Sequence, residues 1–109
     1  MKLIAEPDYR SKILFLSFAE GSQIQKVKDV KLLKSQWLGH LASWHSPYKA
    51  LLNCQNLSFS PEGEEVVAEL EKLHVLLKKF FLRKAAAYGF KGGNTPAGFP
   101  FETFAGQEK

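Results

Sequence analysis

At 109 residues the chain suits one domain with one core and is too short for two. Its 45% hydrophobic content, with nine Phe and two Trp, supplies a packed interior, and 24% charged residues exclude a globally disordered chain. The net charge is +4, with eight bases and four acids in residues 1–54 and seven of each in residues 55–109. So dispersed an excess reads as a solvated surface rather than the concentrated footprint of a nucleic-acid binder.

Leu3–Ala5 is a short strand candidate, followed by Glu6-Pro7-Asp8, a turn cluster. Lys12–Phe18 is an almost continuous apolar run of strand length, closed by Glu20-Gly21-Ser22. A helix follows, best started at Asp29 as its N-cap. From there Val30, Leu33, Trp37, Leu41 and Trp44 share an arc of about 80°, whereas a longer helix would bring Lys26 onto that arc. Ser46-Pro47 is expected to end it, because the residue before a proline resists helical geometry.

Tyr48–Cys54 is a further strand, with Ala50, Leu51 and Leu52 consecutive, as expected for a strand covered on both faces. Ser60 suits an N-cap and Pro61 a first helical position, opening a helix predicted over Glu62–Leu82. On its wheel Val66, Val67, Leu70, Leu73, His74, Leu77, Phe80 and Phe81 fill an arc of about 140°. Acids early and bases late complement the helix dipole. Arg83–Phe90 reads as helix continuation or strand, with a strand near Lys84–Tyr88 preferred. Gly89 to Gly98 is a loop, and Phe99–Phe104 a last strand. The pattern predicts one α/β domain over residues 1–109, with a four- to five-stranded mixed sheet and βαβαβ crossovers.

Two stretches resemble the STAS family, the small α/β domains that include bacterial anti-sigma-factor antagonists. They are Tyr48–Glu64, an apolar strand running through a polar loop into a helix, and Phe99–Lys109, similar to the family's last strand and the start of its closing helix. The resemblance implies a STAS-like fold and a regulatory, protein-binding role. Regulatory relatives carry an Asp at the strand end and a phosphorylatable serine opening the next helix. Here Asn53 stands at the first place and Glu62-Gly63 at the second, leaving Ser58 and Ser60 as displaced phospho-acceptor candidates.

No set of residues argues for catalysis. Cys54 with His40 or His45 lacks an orienting third group, and a lone Cys ending an apolar strand reads as a small buried hydrophobe. His40 and His45 diverge by about 140° on a helix, and no zinc-binding spacing occurs. His74 is expected to pack its ring on the rim of the core. Gly92-Gly93-Asn94 lacks the Lys-Ser/Thr ending of a phosphate loop. Lys78, Lys79, Arg83, Lys84 and Lys91, interleaved with Phe80, Phe81, Tyr88 and Phe90, resemble a basic-aromatic nucleic-acid surface. Placing Phe80 and Phe81 on the buried arc argues against it.

No catalytic residue, cofactor or metal is therefore assigned, and no specific nucleic acid is expected. One cysteine and the absence of a signal-like or spanning apolar run make cytoplasmic residence without membrane insertion the expectation. Val75 and Leu76 fall off the apolar arc. With Ala68, Lys72 and Lys79 they form the candidate surface for a protein partner or for self-association. The alternative is a carrier or sensor of a lipid or small apolar ligand, which a cavity lined by Trp37, Trp44 and Phe80 would favour.

Overall fold

The computed structural model describes residues 1–91 and 96–103. Strand β1 (Leu3–Asp8) pairs antiparallel with β2 (Ile13–Phe18), from Leu3 opposite Phe18 to Asp8 opposite Ile13. Glu6-Pro7-Asp8 therefore lies within a strand rather than a turn. Strand β1 is at the sheet edge, where a proline is tolerated. The reversal falls instead on Tyr9–Lys12, where the Ser11 N–H donates to Asp8 Oδ1 at 3.2 Å and Lys12 adopts φ 58°.

Ser22, expected only to close β2, begins strand β3 (Ser22–Ile24), whose partner β5 (Leu57–Phe59) was also not anticipated. The two form a separate parallel pair. Three residues each are too few for an alternation signal to stand out.

Helix α1 spans Val27–His40. Asp29 is its third residue, not its N-cap, and Lys26 precedes the helix in an extended, exposed conformation. The Asp29 carboxylate accepts the backbone N–H groups of Gln25 and Lys26, each at 2.9 Å. That is the reaching-back half of a capping box; Lys26 has no acceptor to supply the other half. The helix stops six residues before the expected Ser46-Pro47 boundary. Leu41 and Trp44 still reach the core, but from turns, because core contacts can be made without helical backbone.

Strand β4 (Tyr48–Asn53) lies parallel to β2, and β6 (Leu82–Tyr88) lies parallel to β4, so the strand reading of the Lys84–Tyr88 segment holds. Between them helix α2 spans Glu64–Lys79, shorter at both ends than expected. Its N-cap is Gly63 rather than Ser60, so Pro61 lies outside the helix. Phe80 is the C-cap, and Phe81 turns into the left-handed region at φ 76°. Phe80 and Phe81 are 48% and 43% exposed, not members of the buried arc.

The last strand shrinks to β7 (Glu102–Thr103), parallel to β6. Phe99 and Phe101 precede it and meet at 5.5 Å as an edge-to-face pair. Residues 99–101 are not part of the strand, and Phe104, the last residue of the expected strand, lies outside the described residues.

The main sheet thus runs β1-β2-β4-β6-β7, mixed by virtue of its antiparallel edge. Both helices pack on one face, in contact with each other. Leu14, Leu16, Tyr48, Ala50, Leu52, Ala85 and Ala87 point under them and are buried. Phe15, Lys49 and Leu51 occupy the other face and keep solvent contact. Among the described residues β4 is therefore covered on one face, not two; its consecutive apolar residues straddle the sheet.

Candidate functional site

The faces of α1 and α2 that look into the core are Val30, Leu33 and Trp37 on one side and Val66, Leu70, Leu73 and Leu77 on the other. Where the helices diverge toward solvent, their flanks enclose a groove of about 380 Å³. Its floor is Val30, Leu38, Leu73 and Leu76; Lys31, Lys34 and Ser35 from α1 and Glu69 and Lys72 from α2 form its rim. Glu69 Oε2 and Lys72 Nζ are 3.2 Å apart, one turn along the helix. The Lys72 side chain is 75% exposed, so this pair contributes little to stability and leaves the rim basic.

Of the five candidate surface residues, Lys72 and Leu76 line the groove. Ala68, Val75 and Lys79 are exposed on α2 outside its lining, with Val75 57% exposed. The whole α1 wall was missed. A signal was present: Leu38 lies about 80° round the wheel from Val30, beyond the apolar arc and between Lys34 and Lys31. An apolar residue set among lysines at that angle marks a second, shallower contact face.

The other candidates separate from this groove. Ser58 is exposed on β5, beside a recess of about 460 Å³ shared with Glu20, Gln23, Asn56 and Lys91. Ser60 is exposed, its backbone N–H donating to the Ile24 carbonyl at 3.0 Å. Neither hydroxyl opens α2, which begins at Glu64.

Cys54 is fully buried, and burial pushes its thiol up to about 12, so it is no thiolate nucleophile. A ring nitrogen of His40 lies 3.0 Å from the Leu3 carbonyl, His45 is exposed, and His74 meets Phe101 edge-to-face at 5.0 Å. Among the described residues no three His, Cys, Asp or Glu side chains converge on a metal position. Residues 92–94, the glycine-rich candidate loop, lie outside the described residues.

The aromatic side chains named for an apolar cavity are used differently. Trp37 is fully buried, its Nε1–H donating to Tyr48 Oη at 3.1 Å. Burial pushes the Tyr48 phenol up to about 12, against the opposing effect of that hydrogen bond. Trp44 packs between Tyr9 and Tyr48, at ring distances of 4.8 and 5.3 Å, and its buried Nε1 has no partner among the described residues. Phe80 stands at the surface instead of beside them. No helix among the described residues is long and apolar enough to cross a membrane.

No family model, curated protein or solved structure matches this chain.

Proposed function

We propose that the chain is a non-catalytic protein-interaction module of STAS-like type, and that the α1–α2 groove receives an acidic, amphipathic helical segment of a partner protein. The observation that carries this reading is the groove's composition: lysines from both helices around a floor of Val30, Leu38, Leu73 and Leu76. An apolar floor takes side chains spaced three and four residues apart, while a basic rim selects carboxylates on the flanks of the same helix. The buried Cys54 thiol and the separated histidines support a binding role over chemistry. A switch by phosphorylation forms no part of the proposal, since Ser58 and Ser60 stand apart from both the groove and the start of α2.

Titration of the isotope-labelled protein with a four-turn synthetic peptide of leucines flanked by glutamates tests the reading. Saturable shifts of amides within 30–38 and 69–76, lost in Lys31→Glu/Lys34→Glu, are expected. Shifts confined to other regions, or none at millimolar peptide, would overturn it.

A further inference from the structure

The topology gathers three turns at one end of the molecule. Strand β1 ends there, and the parallel strands β2, β4 and β6 begin there. The turns are joined by backbone hydrogen bonds: Lys49 N–H donates to the Lys12 carbonyl at 3.0 Å and Tyr48 N–H to the Phe81 carbonyl at 2.9 Å. Segments 8–12, 41–49 and 78–83 carry Arg10, Lys12, Lys49, Lys78, Lys79 and Arg83 against a single carboxylate, Asp8. That carboxylate is engaged on the Ser11 N–H. At the opposite end, Glu62, Glu64 and Glu65 flank the start of α2, beside Lys26 and Lys28 at the start of α1.

The same basic end exposes aromatic rings. Tyr9 is 61% exposed, Phe80 48% and Phe81 43%. Beside them lies a recess of about 440 Å³ whose rim includes Lys12, Lys49 and Arg83. Phe81 stands just past the helix C-cap at φ 76°, a position that favours Gly or Asn, because a β-carbon there crowds the backbone. Holding an aromatic residue in that conformation costs stability while leaving much of its ring in water. A strained residue kept at the surface is a starting point for a functional hypothesis.

We infer that this end adsorbs to the surface of an anionic lipid bilayer. Phe80 and Phe81 enter the headgroup region, Lys12, Lys49 and Arg83 take lipid phosphates in and around the recess, and Arg10, Lys78 and Lys79 supply long-range attraction. The opposite end, where Glu62, Glu64 and Glu65 offset Lys26 and Lys28, is not drawn to the same surface, which sets the orientation. A nucleic-acid strand fits less well. Phe80 and Phe81 are adjacent on one tight turn, rather than ranked along a groove at the spacing of successive bases.

Flotation with vesicles of phosphatidylcholine alone, or with about 30% phosphatidylglycerol, tests this in low and high salt. The full chain is expected to float with the anionic vesicles only, and to be released as salt rises. Phe81→Asn should melt no lower than the wild type, yet bind these vesicles about tenfold more weakly or worse. Lys49→Gln/Arg83→Gln should weaken binding without loss of fold. Three results would overturn the inference: no flotation, equal flotation with neutral vesicles, or tighter binding of a single-stranded RNA 20-mer than of the anionic vesicles.

Discussion

Trp37 and Trp44 place the same side chain in the same core with different hydrogen bonding. The Trp37 indole donates to Tyr48 Oη, whereas Trp44 Nε1 is buried with no partner among the described residues. Replacing either by Phe loses packing volume, but only at Trp37 does the change also remove a made hydrogen bond. Trp37→Phe should therefore cost about 1–2 kcal/mol more than Trp44→Phe in urea melts, since an unmade bond to a buried group carries a penalty of that order. Equal costs would show that the Tyr48 hydroxyl finds another partner. Asp29 gives a second residue-scale expectation. Burial raises its carboxyl pKa, but the N–H groups of Lys26 and Gln25, with the charge of Lys28, outweigh burial and leave it below the ordinary 3.8. The unfolded chain then takes up the proton first as pH falls. The carboxylate's stabilisation is present above the unfolded value and is lost through the folded one. Asp29→Asn should lower stability at neutral pH and flatten its decline below about pH 4 in acid titrations of the melting temperature. A parallel decline in both proteins would contradict this.

Element by element, long periodic stretches were legible and short or terminal ones were not. The central strands and the buried stripe of α2 follow from apolar runs and spacing, because burial on a sheet or helix imposes a period that survives in the sequence. Leu52, fully buried in β4 between β2 and β6, anchors that reading. Leu52→Ala is expected to cost about 2–5 kcal/mol; a loss below about 1 kcal/mol would mean that the strand does not hold the centre of the core. The helix ends defeated the same reasoning. Phe80 and Phe81 continue the apolar arc on a wheel, but a wheel assumes helical backbone, and the chain leaves the helix at Phe80. Pro7 pointed to a turn because proline interrupts most strands, and only its position on an edge strand makes the difference. The three-residue strands β3 and β5 depend on each other across the fold, and no local pattern encodes that pairing.

At the scale of the whole molecule, charge is arranged in a way the sequence conceals. Counted along the chain, the bases are dispersed; folded, they gather at one end of the sheet and around the α1–α2 groove, while acids collect at the start of α2. Half of the groove was legible, because Lys72 and Leu76 stood out on the best-defined helix. The other half was not, because apposing α1 to α2 is a tertiary event that no helical wheel contains. The groove and the basic end are separate, so the proposed partner contact and the proposed lipid contact are compatible with each other. The proposed interaction places a helical segment of a protein partner in the groove. A photoreactive phenylalanine analogue at Leu76, compared with one at Ser58, tests it most directly in the native cell. Adducts through position 76 should join one partner at an acidic, leucine-rich helical peptide and disappear in Lys31→Glu/Lys34→Glu, with position 58 silent. Adducts through position 58 alone, or through position 76 to a segment lacking carboxylates, would show that the groove is not the partner's site.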